Sequence, residues 1–353
     1  MEIFDILESH WKQKLPFVAY NRPGAQLLRI LFQDNRKTHY VRDYRESGFV
    51  FAPFDPACPA YLLMPDRSHS LPCPAINSDI KTDSYNFRAP DGGKRHFLNL
   101  VGNAKEGIVA GLFQKVVVSR RTRIATDVSP IRAFRVMLAR YPAAFCYLWY
   151  HPATGVWLGA SPELLLSIRQ GQFKTMSLAG TMEYGGIKDP EWGGKELEEQ
   201  LFVTEFIREA LKNKVSSLRE TGPESVRAGR LLHLQSELKG EIDQACSLEA
   251  ILKALHPTPA VCGLPMLPAF EFIKEQEDYD RSFYSGFLGT LNLPEEEGEA
   301  GFYVNLRCMT INAGEATLFV GAGITAASSS ESEWQETVDK CSTMYEVLHN
   351  SSQ

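Results

Sequence analysis

A chain of 353 residues, 44% hydrophobic and 23% charged, has the composition of an ordinary globular protein and the length to bury a large core, as one domain or two. A net charge of −6 argues against a nucleic-acid binder, and no apolar run approaches the roughly 20 residues of a membrane span, so neither nucleic acid nor membrane is expected as a partner. Seven cysteines, odd in number and without a CxxC pair, read as reduced packing thiols, and the acidic stretch Met1–Glu8 lacks the regions of a signal peptide, so the expected location is the cytoplasm.

In chain order, a short helix is expected near 2–13, followed by strands at 17–20, 26–32 and 48–52. Prolines and serines between 53 and 80 suggest loops, and Asp91-Gly-Gly93 a turn. Helical periodicity over 98–114 precedes a strand at Lys115–Ser119, whose basic sequel Ser119-Arg-Arg-Thr-Arg123 reads as a strand end with a solvated or anion-facing side. A helix at 130–139 and a hairpin of 144–150 with 155–160, turning at Pro152 and Gly155, come next. Strands at 164–167 and 173–178 and helices at 195–215 and 247–255 follow, with a hairpin loop at 293–301. Antiparallel runs with interspersed helices indicate α+β rather than a doubly wound sheet. No repeat or linker is visible, so 1–353 is expected to form one domain, with a variable part up to about 100 and a motif-bearing part over 110–350.

The stretch from Phe302 to Met344 carries most of the chemistry. Phe302-Tyr-Val-Asn-Leu-Arg307 places an arginine in a strand, and Leu318-Phe-Val runs into a Gly321-Ala-Gly323 turn. Ser328-Ser-Ser330 then leads to a helix whose Ser330-x-x-Glu333 spacing is that of a capping box. At about 100° per residue, Glu333, Glu336, Lys340, Met344 and Val347 share one stripe, and in Lys195–Leu211 the pair Glu196 and Glu199 aligns with Val203, Ile207 and Ala210. Carboxylates on an apolar face are costly unless they are paired or hold a cation. A hard cation such as Mg²⁺ would suit them, since it binds oxygen and completes its shell with water and substrate. Spacing alone favours the plainer alternative, solvated helix glutamates with Glu333 as a cap.

Seven ordered segments together resemble the chorismate-utilising enzymes, which include isochorismate, salicylate, anthranilate and aminodeoxychorismate synthases. They are Lys115-Val-Val-Val-Ser-Arg120, Gly159-Ala-Ser-Pro-Glu163, Leu178-Ala-Gly-Thr181, Lys195 to Val203, Leu255 to Gly263, Asp280 to Gly286, and 302–344. The resemblance implies a single α+β domain of two large packed antiparallel sheets with helices outside. It also implies a Mg²⁺-dependent site between the sheets that takes chorismate, and a monomer. Glu199 and Glu336 match metal-coordinating glutamates, with Glu196 and Glu333 as supporting carboxylates. Arg307 and Tyr284 match residues that hold the enolpyruvyl carboxylate, and Gly321 and Gly323 lie where backbone N–H groups approach it. Lys340 matches a lysine near the substrate carboxylate and metal, and Gly180 and Thr181 line the ring. His233 matches an active-site histidine of the family, with a plain core or surface histidine as the alternative.

Within the family, Lys115 matches the lysine that activates water in isochorismate and salicylate synthases, where amine-adding members carry glutamine. A lysine acts as a base only in its neutral form. Glu163 matches the general acid that protonates the departing C4 hydroxyl. Without the resemblance the two read as a surface lysine at a strand end and a glutamate after Pro162. Ala179 stands where aminodeoxychorismate synthases often place a nucleophilic lysine. Ala260 and Val261 resemble the small apolar pair of isochorismate synthases, where salicylate synthases carry threonine first. The resemblance therefore implies Mg²⁺-dependent conversion of chorismate to isochorismate, for quinone or siderophore synthesis; salicylate synthase and a non-catalytic chorismate binder are the alternatives. Two features depart from the family pattern: Gln200 replaces a common histidine after Glu199, and the N-terminal region is shorter than in many members.

Overall fold

The computed structural model describes residues 3–73, 93–187, 189–228, 231–296 and 298–352. In chain order the elements are α1 (Ile3–Lys12), β1 (Phe17–Asn21), β2 (Leu27–Phe32), β3 (His39–Tyr40), β4 (Gly48–Ala52), β5 (Tyr61–Leu63), β6 (Arg67–Pro72), α2 (Lys94–Val109), β7 (Lys115–Ala125), α3 (Pro130–Arg140), β8 (Phe145–His151), β9 (Gly155–Ser161) and β10 (Leu164–Arg169). They continue as β11 (Gln172–Glu183), α4 (Gly194–Leu211), β12 (Val215–Ala228), β13 (Leu231–Ile242), α5 (Leu248–Leu255), β14 (Gly263–Leu264), α6 (Met266–Gln276), β15 (Phe287–Leu291), β16 (Ala300–Val304), β17 (Cys308–Asn312), β18 (Glu315–Ile324) and α7 (Ser330–Ser352).

The strands form two antiparallel sheets, ordered β14-β7-β18-β17-β9-β8-β1-β2-β6 and β12-β13-β11-β10-β16-β15-β4-β5-β3. Alternation along a strand decides which core each residue enters. In β1, Val18 and Tyr20 join an aromatic core with Phe49, Phe51, Trp149 and Leu288, drawn from both sheets, while Phe17 and Ala19 face the opposite way under α1, α3 and α7. Phe51 and Phe283 stack there with centroids 4.1 Å apart. The outer face of the second sheet is covered by Val203 and Ile207 of α4 and Ile251 and Leu255 of α5. Two packed antiparallel sheets with helices outside are thus the architecture the sequence implied.

Several local expectations differ. The 53–80 segment contains β5 and β6, and β12, β13 and α6 were also not anticipated. The reason is visible in β6 and β12: both are edge strands rich in exposed polar residues, so they pair through backbone and show no apolar alternation. Gly321-Ala-Gly323 is no turn but the continuous end of β18, paired to β7. Arg307 lies between β16 and β17, not in a strand, with φ of 47°. The basic run 119–123 sits within β7 rather than ending it. Arg120 points inward, its guanidinium 4.2 Å from the Trp334 ring and bonded to Thr337 and Thr122, which fastens α7 to the strand. The turn expected at Asp91–Gly93 lies, up to Gly92, outside the described residues.

A buried ion pair ties the ends of these elements together. Arg281 and Glu277 are 2% and 1% exposed, with Nη2 2.5 Å from Oε1. Arg281 also donates to the carbonyls of Val117 (2.6 Å) and Val261 (2.9 Å), and the Ser119 N–H and O–H donate to Glu277. One cluster therefore fixes β7, the 258–262 segment and the chain entering Tyr284. Removing one partner leaves the other charge buried. Arg281→Gln or Glu277→Gln should lower the free energy of unfolding in urea by about 3–5 kcal/mol, and the double change Glu277→Leu with Arg281→Met should recover most of it.

Candidate active site

A cavity of about 760 Å³, partly open to solvent, lies where the two sheets, α4 and α7 meet. Lys115 enters from the start of β7, Glu163 from the β9–β10 connection, Gly180 and Thr181 from β11, and Glu199 from α4. His233 comes from β13, Ala260 and Val261 from the segment before β14, and Tyr284 from the one before β15. Arg307 follows β16, Gly321 and Gly323 close β18, and Glu336 and Lys340 descend from α7. Glu196 and Glu333 are not in this wall; they line an adjoining chamber that shares Thr181 and Glu336 with it. The notion of solvated helix glutamates fails for Glu333, which is 1% exposed. Its carboxylate also meets Lys195 rather than capping its own helix.

The glycines are required by close approach. A Cβ on residue 323 would lie 3.0 Å from Lys115 Cε and 3.4 Å from Glu199 Oε1, so the lysine and the glutamate converge on this bare stretch of β18. At residue 321 it would lie 2.9 Å from the Val118 carbonyl and 3.0 Å from the Tyr284 hydroxyl. Gly180 has φ of 68°, the left-handed region, at the bulge where β11 passes Glu196.

The charges stand in two groups. Lys195 Nζ sits 2.6 Å from Glu333 Oε1 and 3.9 Å from Glu199 Oε1. Lys340 Nζ sits 2.5 Å from Glu336 Oε1 and donates to the Gly321 carbonyl at 3.2 Å. Burial opposes charge on Glu336, but Lys340 prevails and holds its carboxyl below the ordinary range. Burial and the neighbouring Glu336 raise that of Glu333. Glu199 Oε1, Glu333 Oε2 and Arg307 Nη1 are buried without a hydrogen-bond partner.

Glu163 is 3% exposed, and burial pushes its carboxyl up to about 8 against the opposing pull of Lys115 and Lys340. It is therefore a proton donor at neutral pH. His233 Nδ1 lies 2.9 Å from the Gly180 carbonyl, which only accepts, so the proton sits on Nδ1 and Nε2 is a bare acceptor. Burial, aided by Arg307, lowers the ring to about 3 and keeps it neutral.

Lys195 has a part the sequence did not reveal: a run of helix charges does not say which one turns inward between two glutamates from different helices. Phe319, Ser285 and Leu178 also line the cavity; they lie within the segments that carry the resemblance but were not singled out as site residues. Gln200, which departs from the family pattern, is 3% exposed and turned away from the cavity. It donates to Ser177 and Ser236 at 2.9 and 3.0 Å and accepts from Thr204 at 2.7 Å. Its observed work is to anchor α4 to β11 and β13.

A cavity holding a carboxylic acid, a buried lysine, carboxylates from two helices and an arginine with an unused donor is the working site of an enzyme for a small anionic molecule. The chain belongs to the chorismate-binding enzymes: the family model described as "Chorismate binding enzyme" matches residues 75–349. It is 30% identical over 343 residues to the isochorismate synthase EntC of Escherichia coli, covering 92% of this chain and 86% of the relative. It is also 28% identical over 269 residues to anthranilate synthase component 1 of Aquifex aeolicus, covering 72% of this chain and 53% of that one. The fold matches the solved structure of MenF, the menaquinone-specific isochorismate synthase of E. coli, with TM-score 0.79, 21% identity and coverage of 99% and 91%.

The Glu163 carboxyl gives a stability signature. Its folded-state value of about 8 lies above the ordinary 4.5, so the folded state holds this proton more tightly than the unfolded chain does. Its contribution is fully present below about 4.5 and is lost as pH rises to about 8. Denaturation of wild type and Glu163→Gln across pH should show wild type losing ground to the variant over that window, with no further change above it.

Proposed function

We propose that this protein is a Mg²⁺-dependent isochorismate synthase, acting on chorismate in the cytoplasm. The observation that carries the reading is the pairing, in one cavity, of buried Lys115 with a Glu163 that is protonated at neutral pH. Arg307, with its unused Nη1, and Tyr284 would hold the enolpyruvyl carboxylate, with the backbone at Gly321 and Gly323 close by. Thr181, Gly180 and His233 would face the ring. Lys115, as general base, takes a proton from a water molecule as the water oxygen bonds to C2. Both ring double bonds shift along the conjugated system, the C4–O bond breaks, and Glu163 delivers its proton so that the C4 hydroxyl leaves as water. The hydroxyl group has moved from C4 to C2, and no other reactant is consumed.

The donor set fits a divalent cation. Glu199 and Glu333 each keep a buried oxygen without a hydrogen bond, and Glu336 separates the cavity from the acidic chamber. Among the described residues no cluster of three or more His, Cys, Asp and Glu ligands is preformed. That suits Mg²⁺ better than zinc, because Mg²⁺ is held by one or two carboxylates and keeps water and substrate oxygens. Glu199 and Glu336 would hold it and Glu196 and Glu333 would support it; when bound it would position the C1 carboxylate and neutralise its charge. Ala260 and Val261 bring only hydrocarbon to the wall, in keeping with release of isochorismate without pyruvate loss.

Purified protein given chorismate and Mg²⁺ should form isochorismate reversibly and without ammonia, as read by chromatography. Pyruvate release would identify a salicylate synthase, and anthranilate formed only with ammonia would overturn the proposal. Lys115→Gln should lower turnover at least about 100-fold with unchanged thermal unfolding. Glu199→Gln should raise the Mg²⁺ concentration required by at least about tenfold; an unchanged requirement would remove Glu199 from the ligand set.

A further inference from the structure

Two further chambers adjoin the central cavity, and they carry opposite charge. One, of about 890 Å³, shares Pro162, Leu178, His233 and Arg307 with the cavity and continues past Arg140 and Arg227. Among the described residues, every charged side chain in its wall is basic. The other, of about 720 Å³, shares Thr181 and Glu336 and is walled by Glu196, Glu333 and Asp339, with Lys195 the one cation among the described residues there. We propose that the basic chamber is the route by which the dicarboxylate substrate reaches and leaves the cavity, while the acidic chamber repels it. The proposal rests on the reading that the cavity takes chorismate.

The basic chamber offers a graded series of cationic and polar contacts. Arg227 is exposed at its outer part, its guanidinium held 4.1 Å from the Tyr184 ring. Arg140 lies deeper, at 15% side-chain exposure, fixed through Nη2 to Glu346 at 2.7 Å while its buried Nη1 has no partner. Arg307 stands at the boundary with the cavity, its Nη1 buried and unpartnered. Pro142, Ala143 and Ala144 line one stretch of the wall with small side chains. A passage lined by one sign of charge with low-dielectric walls concentrates the opposite ion and speeds its association.

The test uses full-length Lys115→Gln protein, which should bind chorismate without consuming it, with Mg²⁺ present and binding followed by stopped-flow fluorescence. Added Ala143→Trp should slow association and dissociation alike, each by about tenfold, and leave Kd unchanged, because an obstructed passage alters rates and not the bound state. Added Arg227→Glu should slow association by about tenfold at low ionic strength, a difference that vanishes as salt rises. Association within twofold of the parent in both variants, or a weakened Kd without slower association, would overturn the route. A parent that binds no chorismate sinks the reading of the cavity, and the route with it; a wild type that binds chorismate but releases a different product leaves the route standing.

Discussion

Lys195 lies 2.6 Å from Glu333 and 3.9 Å from Glu199, and Lys340 lies 2.5 Å from Glu336, so carboxylates from two helices stand with their ammonium partners in two part-buried groups beside the cavity. Charges can stay in such a place only if each finds a partner or an ion. Here the balance is incomplete: Glu199 Oε1 and Glu333 Oε2 keep no hydrogen bond, and Arg307 Nη1 has none either. An excess of unsatisfied acceptors beside an unsatisfied donor favours a ligand that brings both cation and carboxylate. Glu163, whose burial outweighs the pull of Lys115 and Lys340, meets the same constraint by keeping its proton.

The frame exists to hold these groups against their cost. Arg120 fastens α7 to β7 through Trp334 and Thr337, and so sets Glu333, Glu336 and Lys340 against the strand that carries Lys115. Gln200 fastens α4 to the second sheet one residue after Glu199. The Arg281–Glu277 pair joins β7 to the Val261 segment and the chain entering Tyr284. Each anchor is a buried polar group whose hydrogen bonds lead to a different element, which makes the positions of Lys115 and the carboxylates mutually dependent.

What could be read from the sequence was governed by how far each signal depends on distant chain. The helical stripe of Glu333, Glu336, Lys340, Met344 and Val347 is local, and α7 shows it as expected. Most strands with buried faces were legible for the same reason, although β13 was missed. The Gly321-Ala-Gly323 segment misled because glycine in a strand signals either a turn or a close approach. What decides between them is Lys115 and Tyr284, distant in the chain. β6 and β12 escaped because edge strands of polar residues have no apolar period to find. The residues gathered around the cavity were found through their resemblance to a family, and spacing alone could not have joined Lys115 to Glu163. Lys195, Gln200 and the Arg281–Glu277 pair act through contacts that no local pattern announces.

The central claim is that Lys115 and Glu163 move a hydroxyl group by adding a water oxygen at C2 and releasing one from C4. Turnover of chorismate in oxygen-18 water, with the product analysed by mass spectrometry, tests it most directly. The expected product is isochorismate carrying a single oxygen-18 in its ring hydroxyl, with no label when Lys115→Gln is used at the same exposure. An isomerised product that retains the original unlabelled hydroxyl oxygen, or a product that carries nitrogen in its place, would contradict it.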